Sequence, residues 1–446
     1  MVRIMEREII KYRDLLNNGE PEKRLNNLRS ILEEEKVEKL PRKQMDYYVN
    51  NHIHTTFSFS YYTPAMSIWM AFRSGLQTAG IMDHDTISGA REFMMAGEIV
   101  GIPTTKGVEC RADFSKTLLG GRKINNPDQR SIAYIAIHGV PDNQIDRINS
   151  FFTPYREERN KRNLLMVKRL NKILEPVSLS LDFGQDVLPL SYAPQGGTVT
   201  ERHILFALAR KIMEKFLKGR EVIEFLQHKL KMEISKKNLA YLEDKKNGFY
   251  AYDILNVLKS DLIELFYVDA TTECPDVKDV LALSDETGSI SAYSYLGDVT
   301  ESVTGDKKTQ KFEDDYLELL FDVIKELGFK AVTYMPTRNS IAQIKRIQGL
   351  CKKYGFFQIS GEDINSPRQP FICEILKNQD FRSLIDGAWA LIGHEKRVKE
   401  DLDEGLFSAK MIKKYPDLNE RIRVFKKAGK NSVREEYENK SCKVIW

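Results

Sequence analysis

At 446 residues the chain is too long for one small core, so two or three domains, or one large α/β domain with an insertion, are expected. A hydrophobic fraction of 42% and a charged fraction of 30% are those of a globular protein in water, and 68 Lys+Arg against 64 Asp+Glu leave a net charge of only +4, which excludes a general nucleic-acid binder and makes any anion site a local one. Five scattered cysteines (110, 274, 351, 373 and 442) with no CxxC pair, no apolar leader and no long apolar run argue against a disulfide framework, export or membrane spanning, so a cytoplasmic protein with reduced thiols is expected.

In chain order, residues 1–48 read as two charged helices, the first ended by Asn18-Gly19 and the second opened near Pro21. From Tyr47 strands and helices alternate. A short strand at Tyr48-Val-Asn-Asn-His leads into His52-Ile-His54; Thr63-Pro64 opens a helix running to Gly80, with Thr as N-cap and Pro at the first helical position. A strand at Ile81-Met82 ends in Asp83-His84-Asp85. A helix follows from about Ser88 to Val100, closed by Gly101, then strands at Thr104 to Glu109 and Ile132 to His138. From about 150 to 262 the texture is helical and basic: Tyr155-Arg-Glu-Glu-Arg-Asn-Lys-Arg opens one helix and Thr200-Glu-Arg-His another. Alternation resumes with a helix near 275–287, a strand near Ser289–Tyr295, a helix from Asp314 to Leu327, a strand at Ala331–Tyr334, a helix at Ile341–Tyr354 and a strand at Phe357–Ser360. The expected organisation is a helical extension (1–46), an α/β barrel or open parallel sheet (47–150 and 263–378), a helical basic insertion (151–262) and a helical tail (379–446).

Histidines 52, 54, 84 and 138 cluster at or just beyond predicted strand ends, which in a parallel barrel converge on one face. In extended backbone His52 and His54 point the same way, so one cation can bind both rings. Glu109 ends a strand in Lys106-Gly-Val-Glu, and Asp363 follows another in Ser360-Gly-Glu-Asp. Charges at buried strand ends require partners, and mixed imidazole and carboxylate donors suit Zn, Mn or Fe. Taken singly, His84 and its Asp neighbours fit a helix-capping turn and His138 a satisfied core histidine. In the basic segment Arg156, Arg159 and Arg162 recur at a spacing of three. Arg202 and His203 open a helix whose free N–H groups favour an anion. These groups form a candidate phosphate clamp, with an ordinary solvated face as the alternative. Arg338, in Tyr334-Met-Pro-Thr-Arg-Asn, is a further candidate.

Together these motifs resemble the PHP (polymerase and histidinol phosphatase) family of metal-dependent phosphoesterases, over about Tyr48 to Phe371 apart from the stretch between 205 and 275. Asn51-His-Ile-His-Thr-Thr-Phe-Ser resembles its first motif, Ile81-Met-Asp-His-Asp-Thr-Ile-Ser-Gly-Ala its second, Gly107-Val-Glu109 its third and Gly361-Glu-Asp-Ile-Asn365 its last. Arg156-x-x-Arg159-x-x-Arg162 and Arg202-His203-Ile204 resemble the bacterial branch that dephosphorylates nucleoside 3′,5′-bisphosphates and trims RNA 5′ ends, where such residues face the substrate phosphate.

The resemblance implies a distorted (β/α)7 barrel, with divalent cations at the strand C-termini and hydrolysis of phosphate esters by metal-activated water. It implies one metal site from His52, His54, Glu109 and Asp363, and a second from Glu109 and His138. A third would retain only His84. Three ligands usual in the family are changed here, to Phe59, Tyr295 and Asn365. The leading expectation is a phosphoesterase in which His84 or His138 orients water or protonates the leaving group and Arg159, Arg162, Arg202, His203 and Arg338 hold the phosphate of a small molecule, nucleotide or nucleic-acid end. The alternatives are a regulatory or binding protein with a reduced site, and a 5′–3′ exonuclease.

Overall fold

In the computed structural model, residues 2–37, 48–298 and 311–439 are described; residues 38–46 of the predicted N-terminal extension and Cys442 lie outside them. Strands β1 (Val49–Ile53), β2 (Thr78–His84), β3 (Thr104–Asp113), β4 (Ile132–His138), β5 (Ile290–Tyr295), β6 (Ala331–Tyr334) and β7 (Phe357–Ser360) pair in sequence order in one seven-stranded sheet. The sheet curls until its edges nearly meet. Ile364, just past β7, bridges Ile53 of β1, with His54 N–H on Ile364 O (3.0 Å) and Ile364 N–H on His52 O (3.2 Å). Asn50 adds to this seam, its Oδ1 accepting from the backbone N–H of both His52 and Glu362. Gly361 is needed at the same place, because a Cβ there would lie 2.5 Å from His52 Cβ and 2.7 Å from His52 N. The mixed α/β barrel expected from the sequence is therefore present.

One strand departs from the expected parallel alternation. β4 runs antiparallel to both β3 and β5, while the other neighbouring pairs are parallel. A parallel return needs a crossover, usually a helix, and residues 114–131 between β3 and β4 contain none. The C-terminal end of β4 consequently points away from the barrel mouth: His138 pairs with Gly107, two residues below Glu109, which pairs with Ala136.

The helices are α1 (Val2–Leu16), α2 (Pro21–Val37), α3 (Pro64–Arg73), α4 (Ala90–Val100), α5 (Ile145–Leu174), α6 (Glu201–Lys215), α7 (Arg220–Glu224), α8 (Lys236–Glu243), α9 (Tyr250–Asp261), α10 (Ile263–Phe266), α11 (Val277–Glu286), α12 (Leu317–Leu327), α13 (Ile341–Tyr354), α14 (Arg382–Glu400), α15 (Ala409–Lys414) and α16 (Leu418–Asn439). Thr63 caps α3 as expected, its side chain accepting from Met66 N–H. The helix stops at Arg73 rather than Gly80, because Gly75 turns the chain at φ +80° and Thr78 already belongs to β2. Helix α5 starts at Ile145, ten residues before the expected Tyr155, and runs through Pro154. A proline forfeits one backbone bond inside a helix, but buried Ile148, Phe152, Met166 and Leu170 on either side hold α5 together.

Apolar side chains form separate cores. Between β4 and β5 the helices gather Met166, Leu170, Leu205, Leu208, Ile254 and Leu258 into their own cluster. Met82, Ala136, Ile290, Ala292, Phe357 and Ile359 form the barrel floor, closed from below by Ala390 and Leu391 of α14. The floor is apolar, so polar groups collect at the opposite, strand-end side.

Candidate metal centre

Strand alternation places His84 and Glu109 in register on neighbouring strands, both turned inward. His84 Nδ1 lies 3.1 Å from Glu109 Oε2; His52 Nε2 and His54 Nε2 lie 3.7 and 4.0 Å from the same oxygen. His54 Nε2 is 3.3 Å from Asp363 Oδ1, brought there by the closing seam. Two groups with metal-binding spacing result, His52–His54–Asp363 and His54–His84–Glu109, sharing His54. The sequence-predicted ligands from four separate segments thus meet, and His84 sits with the main group rather than apart from it.

The electrostatics match this grouping. Burial works against the Glu109 carboxylate, but His52 and His84 hold it far below the usual carboxylate range. Burial likewise opposes Asp363, while His54, His52 and Arg202 keep it well below its ordinary value. Burial and neighbouring His84 lower the pKa of His54, favouring the neutral ring that a metal requires.

A second layer fixes the His54 tautomer. Asp83 is fully buried and accepts from Thr55 N–H (2.7 Å), Thr55 Oγ1 (2.6 Å) and Ser58 Oγ (2.6 Å). Ser58 has spent its one proton on Asp83, so its oxygen accepts from His54 Nδ1 at 3.2 Å. The Nε2 lone pair then faces Glu109 and Asp363, the orientation that outer carboxylates commonly impose on metal-ligating histidines. In the sequence Asp83 also fits a plain turn residue, and Ser58 is marked only by lying four residues after His54.

His138 is 2% exposed and its Nε2 has no hydrogen-bond partner among the described residues. It lies within electrostatic reach of His52 and Glu109, and burial drives its pKa down to about 3, so it is neutral. A buried neutral imidazole with an unused nitrogen beside Glu109 fits a ligand for a second cation better than a proton donor.

Phe59, Tyr295 and Asn365 each have a structural role of their own. Phe59, held at φ +87°, packs its ring against His203 (4.9 Å between centroids) and Tyr252. Tyr295 is buried in the outer core and donates to Asp314 Oδ1 at 2.6 Å. Asn365 donates to Asp363 Oδ1 (2.5 Å) and accepts from Arg202 Nη1, which links Arg202 to a carboxylate of the candidate ligand group.

The other predicted phosphate-binding residues are placed less uniformly. Arg156 donates to Asp85 O at 2.7 Å. Arg159 donates to Asp85 Oδ2 (2.5 Å) and Glu201 Oε2 (3.1 Å), and Arg162 to Glu273 Oε2 (2.5 Å), Val268 O (2.8 Å) and Glu201 Oε1. His203 is buried; its Nδ1 accepts from Thr200 N–H at 2.9 Å and burial lowers its pKa to about 3, leaving it neutral. Arg338 lies in the turn after β6, its N–H on Met335 O at 3.1 Å.

The chain matches no protein-family model and no curated protein. Among solved structures it is similar to a protein from Bifidobacterium adolescentis provisionally described as a metal-dependent phosphoesterase, with 19% identity and a TM-score of 0.50 over 76% of this chain and 95% of the other. It also aligns with an amidohydrolase from Chromobacterium violaceum bound to sulfate without metal, at 15% identity and a TM-score of 0.48, over 73% and 89% of the respective chains. The first likeness establishes the fold.

Proposed function

We propose that the protein is a metal-dependent phosphoesterase acting on a small phosphorylated molecule or nucleotide. The observation that carries this reading is the pair of ligand groups sharing His54, held in one tautomer by Ser58 and Asp83. The donor set, nitrogen and carboxylate oxygen, fits Zn, Mn or Fe. His52, His54, Glu109 and Asp363 would hold one cation with His84 beside them, and Glu109 with His138 a second. Such cations acidify bound water toward neutral pH and offset phosphoryl charge. Arg202, joined to Asp363 through Asn365, would hold a phosphoryl oxygen next to the cations. His84, with about a quarter of its side chain exposed, is the histidine of this cluster with most access to a leaving group. The four described cysteines are free and buried, which fits a reducing compartment such as the cytoplasm. No helix among the described residues is long and apolar enough to cross a membrane.

The test is metal analysis of the purified chain together with hydrolysis of an aryl phosphate, nucleoside bisphosphates and 5′-phosphorylated oligonucleotides. Turnover that needs Zn, Mn or Fe and disappears in Asp363→Ala is expected. Tightly bound metal without turnover of any of these esters overturns the enzyme reading and favours a binding or regulatory protein. The replaced ligand positions Phe59 and Tyr295, both committed to packing, support that second reading. Turnover of the oligonucleotide alone, with binding that falls steeply with salt, would indicate the exonuclease.

A further inference from the structure

One side-chain layer above Glu109, the barrel mouth holds a charge network that the metal centre does not use. Arg111 lies two residues beyond Glu109 on the same face of β3, roughly 7 Å further along the strand. Its guanidinium converges with those of Arg159 and Arg162 from α5, and all three are buried. Each bonds Glu201: Arg111 and Arg162 at Oε1, and Arg159 at Oε2. Glu201 is the first residue of the 15-residue α6, where unpaired backbone N–H groups and the helix dipole favour negative charge. Asp85 and Glu273 satisfy other edges of the arginines. Arg159 Nε is buried with no acceptor among the described residues.

A carboxylate gripped by three arginines at a helix start has the arrangement in which proteins hold phosphate. We propose that Glu201 is a specificity-determining residue that fills an oxyanion pocket made by Arg111, Arg159 and Arg162, so the chain accepts an ester with one phosphoryl group at the metals and excludes a second anionic group from this pocket. The substrate statement rests on the phosphoesterase reading; occupancy of the pocket does not. Three buried guanidiniums face three carboxylates, Asp85, Glu201 and Glu273, so the pocket is neutral as it stands. A second substrate phosphate would have to displace Glu201, whereas Arg202 remains beside the cation ligands.

The experiment measures inorganic phosphate binding by calorimetry and thermal unfolding, in excess chelator so that no cation contributes. Glu201→Ser opens the pocket; Glu201→Ala opens it too, with a stronger helix former in α6, and serves if the serine variant does not fold. The expected result is phosphate affinity at least about tenfold above the native chain, from charge-assisted bonds to the released arginines, with phosphate but not chloride raising the midpoint. Adding Arg159→Gln to either variant should abolish the gain. No gain, or a gain that survives Arg159→Gln, overturns the proposal and leaves Glu201 as a pin between α5 and α6. With metal restored, Glu201→Ser should raise kcat/KM for a nucleoside bisphosphate relative to a monophosphate. Absence of all turnover would count against the phosphoesterase reading while the chelator result still decides the pocket.

Discussion

Asp83 offers a direct test of how the candidate metal centre is held, because it touches no candidate cation position and acts through Ser58 and Thr55. An asparagine there keeps the shape and one oxygen. With that oxygen toward Thr55 N–H and Ser58, both bonds survive as neutral ones, and the Thr55 hydroxyl must rotate to accept from the new amide. The bias of His54 toward Nδ1–H is weakened, not removed. Loss of an outer partner of a metal-ligating histidine lowers metal affinity roughly 10- to 100-fold, or about 1.4–2.7 kcal/mol. Asp83→Asn should fall near the lower end, and Ser58→Ala, which removes the acceptor of His54 Nδ1, further along the range. Competition against a chromophoric chelator with Zn or Mn measures both, with circular dichroism confirming the fold. If both variants fold and bind metal as tightly as the native chain, the Asp83–Ser58–His54 relay neither sets the tautomer nor supports the site.

Gly361→Ala would place a methyl 2.5 Å from His52 Cβ and 2.7 Å from its backbone nitrogen, forcing the seam apart; a loss of about 1–3 kcal/mol in urea unfolding is expected, with weakened metal binding. Arg24 and Glu92 form a buried pair at 2.6 Å that ties α2 to α4. Arg24→Met should cost about 3–5 kcal/mol by leaving a buried carboxylate unpaired, and adding Glu92→Leu should recover much of it; an Arg24→Met chain as stable as the native one would refute this. Glu313 is fully buried, accepts from Leu296 N–H at 2.9 Å, and burial raises its pKa to about 7. Its folded pKa exceeds the unfolded value of 4.5, so the native state holds the extra proton between those values, and stability falls as pH rises from about 4.5 through 7. Between pH 5 and 8 the native chain should lose on the order of 3 kcal/mol relative to Glu313→Gln, and parallel stability curves for the two would overturn the assignment.

Much of the barrel was legible in the sequence because its signals are local. β6, β7 and α13 occur at the bounds that hydrophobic runs and capping residues indicated, and Thr63-Pro64 starts α3 for the chemical reason expected. Local patterns misplaced elements where the deciding interaction was distant. Helix α5 passes through Pro154 because buried side chains on both sides outweigh one missing bond, and α3 ends early because β2 claims Thr78 for pairing with Val49.

At the candidate site, residue chemistry alone singled out His52, His54, His84, Glu109, His138 and Asp363. Their grouping awaited the tertiary structure: the closing seam sets Asp363 against His54, register sets His84 beside Glu109, and the reversed β4 sinks His138 a layer below. The basic helix shows the same division. Its arginines are plain in the sequence, but a charge carries no record of its partner. Only the fold brings Glu201 and Glu273, far along the chain, onto Arg162 and Arg111, because ion pairing depends on distance in space and burial.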